Sequence, residues 1–405
     1  MRWLRYVVIA VPALLLACAS ASYALTRLVP GPQHMAGALG SGFAPMIYAD
    51  RQLPSTLDDI DSSKLLATAR RSLEKEPLNP RALRTFALYA RSQKKTESIL
   101  RYTDLSQQLS RRDVLNQLLL IDAKAKNPGT KIEDILLHYD NILRVDPRLT
   151  EQLYPALVGV MANQQALDGI ATYVVKKRPW AETLMFEALP TEYGPKAVVE
   201  VLQIASKGRK IDPADRLSKT LFDRLYAQDD YLTAKALFLR MKDVEPEWLS
   251  STQFGSARWQ DKYGPMVWQF SNDANSGADL VPGRDEDNPF IDVFALSGAR
   301  GTPLRRLLFL KPGNYRFAQE YEVFQSGINA EASWTLICVG KAFESGQPNE
   351  LFSTPVDLGN SQKKMTSSNA VKITCPVQHL RFSVAGGDGQ AGLTMRLSEA
   401  SFKEF

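Results

Sequence analysis

Residues 310–323 read LKPGNYRFAQEYEV, and this stretch decides the fold of the C-terminal third of the chain. A turn at Pro312-Gly313 is followed by apolar side chains at alternate positions, from Tyr315 and Phe317 to Tyr321 and Val323. Because successive side chains of a strand point to opposite faces, the alternation predicts a β-strand with one buried face.

The same alternation recurs on both sides of this stretch. Apolar residues two positions apart form four further groups: Trp334, Leu336 and Cys338; Val371, Ile373 and Cys375; Leu380, Phe382 and Val384; Leu393, Met395 and Leu397. Turn-forming glycines and prolines separate them. About eight short strands in this region predict an antiparallel β-sandwich, to which we assign residues 248–405.

The three cysteines fit that prediction. Cys338 and Cys375 lie at apolar positions of their strands, so both side chains should point into the sandwich. Cys18 lies in an apolar N-terminal run, which leaves an even pair, as expected in an oxidising compartment. We therefore predict a Cys338–Cys375 disulfide.

Three segments resemble the jelly-roll of galactose-binding-like carbohydrate modules. They are residues 310–317, residues 334–338, and Cys375-Pro376 with Gln378 and Leu380. The resemblance implies a jelly-roll sandwich, and members of that family often hold a structural calcium ion.

Two features near the start of the predicted sandwich indicate ligands. Oxygen-bearing side chains crowd one loop, which suits either calcium or a solvated acidic loop: Asn272, Asp273, Asn275, Asp279, Asp285, Glu286, Asp287, Asn288 and Asp292. Trp259, Tyr263 and Trp268 provide aromatic surface for a carbohydrate platform, or else for packing between domains.

Residues 58–247 have a helical pattern instead. Prolines that end helix-like segments lie at Pro77, Pro147, Pro179, Pro213 and Pro246. The last three intervals are close to 34 residues, the period of stacked helical hairpins, and the first, of 70 residues, is about twice that. Residues 139–147 and 230–246 resemble the closing half of a tetratricopeptide repeat, with Ala234 and Phe238 at matching positions. We predict an α-solenoid, whose long concave surface suits a protein partner.

The N-terminus predicts a membrane segment. Arg2 and Arg5 precede an uncharged run over residues 6–26, long enough to cross a bilayer. Residues 1–26 therefore form an uncleaved anchor, a cleaved signal ending near Ala21 or Ala24, or a lipoprotein signal with Cys18 lipidated. Residues 27–57 form a linker rich in glycine and proline. All three alternatives place the remaining chain in the periplasm. The uncleaved anchor would hold it at the inner membrane, the cleaved signal would release it as a secreted protein, and the lipoprotein signal would make it an outer-membrane lipoprotein.

No catalytic pattern is evident in the sequence. His34, His138 and His379 are isolated, and there is no nucleophile elbow, phosphate-binding glycine loop or paired zinc ligand. A net charge of +5 without a strong basic cluster gives no indication of nucleic-acid binding. We predict a non-enzymatic, membrane-tethered periplasmic scaffold, for example in an envelope polysaccharide assembly; the alternative is a carbohydrate-binding envelope protein that uses the sandwich.

Overall fold

A computed structural model describes residues 62–255, 261–283, 289–340, 350–359 and 365–405, together with Ala17 and Met46. Two compact units divide between Ala156 and Leu157. The predicted membrane segment, Cys18 and the predicted 27–57 linker fall outside the described residues, apart from Ala17 and Met46. None of the helices in the described ranges is long and apolar enough to cross a bilayer.

The first unit is helical. Its helices are α1 (Ser62–Lys75), α2 (Pro80–Ser92), α3 (Thr96–Leu109), α4 (Val114–Ala125), α5 (Ile132–Val145) and α6 (Thr150–Val160), the last of which continues past the division. The predicted break at residues 77–80 is confirmed. The Asn79 side chain accepts hydrogen bonds from the backbone amides of Arg81 and Ala82, and Pro80 fits the first helical position because its missing N–H needs no partner there.

The second unit begins with five more helices: α7 (Gln164–Val175), α8 (Pro179–Ala188), α9 (Gly194–Ser206), α10 (Asp215–Ala227) and α11 (Tyr231–Arg240). Short 3₁₀ segments, Pro246–Leu249 and Asp261–Met266, lead to the strands. Helices in the described part of the chain range from 10 to 14 residues. A helical region is thus observed, whereas the tetratricopeptide-like α-solenoid remains a prediction.

The predicted β-sandwich is confirmed. The described strands are β1 (Gln269–Phe270), β2 (Ser276–Val281), β3 (Phe290–Ala295), β4 (Arg300–Leu308), β5 (Gly313–Gln325), β6 (Glu331–Cys338), β7 (Glu350–Pro355), β8 (Met365–Ile373), β9 (Gln378–Ala385) and β10 (Leu393–Glu404). They form a first sheet, ordered β1-β4-β9-β6-β7, and a second sheet, ordered β2-β3-β10-β5-β8. The sequence predicted about eight strands because β1 is too short, and β2 too irregular, to show alternation.

The core lies between the two sheets, and Trp334 is fully buried in it. Its ring lies 4.7 Å from that of Phe382, 5.8 Å from Phe317 and 5.9 Å from Trp268, measured between centroids. Burial alternates along β5 as the sequence predicted.

The predicted disulfide between Cys338 and Cys375 is also confirmed. Both cysteines are buried. The bond joins the end of β6 to the connection between β8 and β9.

Candidate functional site

The outer face of the second sheet contains a row of charged side chains. The backbone register pairs Asp279 of β2 with Asp292 of β3, Asp292 with Arg396 of β10, and Arg396 with Glu322 of β5. The alternate residues of these strands, such as Val293, belong to the buried core, so the charged row faces outward.

Arg396 is fixed in this row by two kinds of contact. Its Nε and Nη2 atoms donate to the two carboxylate oxygens of Asp292, at 2.7 and 2.9 Å. The hydrogen bond to Asp292 raises the pKa of Arg396. The guanidinium carbon lies 3.6 Å from the ring centroid of Phe290 and 5.2 Å from that of Phe324. Bidentate pairing and cation–π contact together restrict the side chain to one orientation.

Aromatic rings surround the charged row. Phe324 is 45% exposed, whereas Phe290 and Phe294 are half-buried. A Cβ atom at Gly277 would lie 2.7 Å from a ring carbon of Phe294, so a larger residue there would displace the ring. We call Phe290, Phe294, Phe324, Asp279, Asp292, Glu322 and Arg396 the aromatic face. It combines exposed ring surface with immobilised hydrogen-bonding groups.

The sequence analysis did not identify this aromatic face and considered other aromatic residues, either for a carbohydrate platform or for packing. Tyr263 and Trp268 are only 0% and 3% exposed, because Tyr263 packs against Phe238 and the Trp268 indole N–H donates to the carbonyl of Thr252. They pack inside the protein, so a carbohydrate platform at these two residues is wrong; Trp259 lies outside the described residues. The sequence did contain one indication of this face. Phe324 lies at the next alternate position after Glu320 and Glu322, on the side of the strand where polar residues are expected.

The proposed calcium loop is described only in part. The Asp273 carboxylate accepts from the backbone amides of Asn275 and Ser276, both at 2.7 Å, which lowers its pKa, and Asn272 donates to Asp279. Asp285, Glu286, Asp287 and Asn288 lie outside the described residues. Within the described ranges, no cluster of three His, Cys, Asp or Glu residues could hold a metal ion. A calcium ion remains a prediction from the sequence.

His379 lies on the outer face of the first sheet, where α10 packs. Its Nδ1 atom accepts from Arg381 Nε at 3.1 Å and lies 3.3 Å from the hydroxyl of Tyr226 in α10. Burial, together with the charges of Arg381 and Arg305, lowers the pKa of His379 to about 3. The imidazole is therefore neutral at physiological pH.

Because the pKa of His379 is lower in the folded chain, the unfolded chain binds an extra proton between pH 6.5 and about 3. The free energy of unfolding should therefore fall with decreasing pH in this window, by up to about 1.4 kcal/mol per pH unit. We expect His379→Gln to lose less stability than the wild type between pH 7 and pH 4.5 in urea unfolding. Equal losses in the two proteins would contradict the prediction.

No protein-family profile matches the chain, and no curated protein matches it. Solved structures with similarity to it include TmCBM61 in complex with beta-1,4-galactotriose, with 13% identity over 34% of this chain and 88% of that chain, at a TM-score of 0.24. The C-terminal domain of EclA, a sugar-binding protein, has 17% identity over 33% and 83%, at 0.21. The K1 cleaved adhesin domain of Lys-gingipain from Porphyromonas gingivalis has 14% identity over 34% and 90%, at 0.21.

Proposed function

We propose that the β-sandwich binds a carbohydrate on the aromatic face of its second sheet. The observation that supports this most directly is Arg396, held between the carboxylate of Asp292 and the ring of Phe290 beside the exposed ring of Phe324. A sugar has an apolar C–H surface and a rim of hydroxyl groups. The aromatic face offers a matching ring surface and charged groups that accept and donate hydrogen bonds.

Preorganisation is the physical reason why this face suits binding. A free arginine would lose rotamer entropy when a ligand ordered it, but Arg396 is already ordered by Asp292 and Phe290. The carboxylate oxygens of Asp279 and Glu322 extend the row on either side. A bound sugar would cover the Phe324 ring without reorganising its neighbours.

Phe324→Ala is expected to weaken glycan binding by about tenfold or more, because it removes the exposed ring but no charged group. A glycan array would identify the ligand, and calorimetry would measure its affinity. Phe405→Ala is the matched control: this phenylalanine is 68% exposed but lies at the far end of β10. The proposal fails if no glycan binds, or if Phe324→Ala and Phe405→Ala bind equally well.

We also propose that the protein is a non-enzymatic, membrane-tethered periplasmic component of an envelope assembly. The basis for this part is the sequence: the apolar run over residues 6–26, the paired cysteines and the lack of catalytic motifs. In this arrangement the helical region would serve as a spacer between the membrane and the sandwich.

Protein scaffolding is the second candidate function. Leu105 and Leu109 lie one turn apart on α3, and each is 40% exposed. A partner protein that docked there would bury both side chains. In crosslinked envelopes, Leu105→Ser with Leu109→Ser is expected to lose a partner that the wild type and a Leu78→Ser control retain. Equal recovery of that partner from all three would exclude docking at this stripe.

A further inference from the structure

A continuous row of polar side chains crosses the outer face of the first sheet. The register pairs Gln269 of β1 with Arg305 of β4, Arg305 with Arg381 of β9, Arg381 with Thr335 of β6, and Thr335 with Ser353 of β7. Four strand spacings make the row about 19 Å long. Gln269, Arg381 and Thr335 are half-buried, and Arg305 and Ser353 are exposed. We call these five residues the arginine row.

Two like charges face each other at the centre of the arginine row. Arg305 and Arg381 are directly opposed on neighbouring strands, an arrangement that destabilises a sheet by charge repulsion. Arg305 Nε donates to Gln269 Oε1 at 3.1 Å, and Arg381 Nε donates to His379 Nδ1 at 3.1 Å. Both bonds are made to neutral groups. Within the described part of the chain, no carboxylate forms an ion pair with either guanidinium.

The carboxyl group of Asp223 in α10 interacts electrostatically with Arg305, but the two side chains do not form an ion pair. Burial raises the pKa of Asp223, against the opposing charges of Lys219 and Arg305. No described carboxylate forms an ion pair with either guanidinium, so among the described residues the repulsion between Arg305 and Arg381 is offset only in part, by the charge of Asp223.

The arginine row is flanked by hydroxyl groups on one side and by buried side chains on the other. On the open side, the hydroxyls of Thr302 and Ser383 lie 3.2 Å apart, and Ser333 is the cross-strand partner of Ser383. On the closed side, Leu307 and His379 are buried. Hydroxyl groups beside two cations suit a ligand that has both hydroxyls and a carboxylate.

We propose that the arginine row binds the carboxylate of an acidic sugar, such as a uronic acid residue in an anionic polysaccharide. A guanidinium fork matches a planar carboxylate, and two opposed forks can share one anion. The Thr302, Ser383 and Ser333 hydroxyls would contact the sugar ring. This site is separate from the aromatic face, which lies on the other sheet.

The test is calorimetric titration of the full chain with oligogalacturonate. We expect binding by the wild type, and about tenfold weaker binding by Arg305→Gln and by Arg381→Gln. Arg305→Lys, which retains the charge without the fork, should give an intermediate affinity. Arg300→Gln is the matched control: it removes one exposed positive charge from the same strand and should change the affinity by less than about twofold.

Other probes define which result would overturn the proposal. Neutral galacto-oligosaccharide, inorganic sulfate and poly-glutamate, each at equal ionic strength, should bind the arginine row more weakly than oligogalacturonate. Equal binding of poly-glutamate would exclude sugar recognition, and equal binding of sulfate would exclude carboxylate recognition. Absence of oligogalacturonate binding, or binding unchanged in Arg305→Gln, would refute the site.

The arginine row and the aromatic face can be separated experimentally. Phe324→Ala should leave oligogalacturonate binding unchanged, and Arg305→Gln should leave unchanged any neutral glycan that Phe324 binds. Without ligand, Arg305→Gln should melt at a slightly higher temperature than the wild type because charge repulsion is removed. A lower melting temperature would show that Arg305 stabilises the sheet, which contradicts the proposed net repulsion between Arg305 and Arg381.

Discussion

Trp334→Ala is expected to destabilise the sandwich by about 3–5 kcal/mol, the range for removing a large buried aromatic side chain. The indole ring is fully buried and contacts aromatic rings from both sheets: Phe382 in the first sheet and Phe317 in the second. Its loss would leave a cavity where the two sheets meet. Among the described residues Trp334 is the largest fully buried side chain, so the sandwich should unfold before the helices of the first unit.

Hydrogen exchange read by mass spectrometry can measure this effect where it arises, since it reports the opening of individual segments. Peptides from β6 and β9 should exchange much faster in Trp334→Ala, whereas peptides from α1–α4 should not change. Thr335→Ala is the control, because this neighbouring residue lies on the outer face of the same strand. If both variants exchange alike, the two sheets do not depend on Trp334 for their packing.

Replacing Cys338 and Cys375 together by alanine is expected to cost about 2–5 kcal/mol of stability. The cysteines are 37 residues apart, and a crosslink over that distance restricts the unfolded chain strongly. Both side chains are buried, so alanine also leaves small cavities. The β8–β9 corner keeps one further restraint in Gln378, whose side-chain amide accepts from the amide of Leu310 and donates to its carbonyl.

A reducing agent provides the control for this prediction. Dithiothreitol should lower the melting temperature of the wild type toward that of the double-alanine protein, and it should not change the double-alanine protein itself. If the wild type melts at the same temperature with and without the reductant, while its thiols are shown to be free, the disulfide adds no stability.

Local patterns in the sequence were enough to predict the strands and the disulfide. Alternation of apolar residues reports which face of a strand is buried, so Tyr315, Trp334, Cys338 and Cys375 could all be assigned to the core. The same rule does not predict that the charged residue Arg306 is buried on the core side of β4, between Leu304 and Leu308. Its guanidinium donates to the carbonyl of Trp248, a contact that only the tertiary fold brings about.

The two candidate sites could not be predicted in the same way, because they depend on register. Asp292 and Arg396 are far apart in the sequence, as are Arg305 and Arg381, and nothing local indicates that either pair is opposed. Sequence patterns also do not distinguish an exposed aromatic from a buried one outside regular strands. Tyr263 and Trp268 were therefore considered for a platform, although both are packed against other aromatic rings.

The position of β10 has a consequence for how the protein matures. This strand comes last in the sequence, yet it lies in the middle of the second sheet, between β3 and β5. Until residues 393–404 have been synthesised, β2-β3 and β5-β8 are separate ribbons with exposed edges, open to wrong pairing. Arg396 also arrives with this strand. The aromatic face is therefore completed only when β10 has paired, so a chain interrupted before residue 393 would have neither a finished second sheet nor the aromatic face.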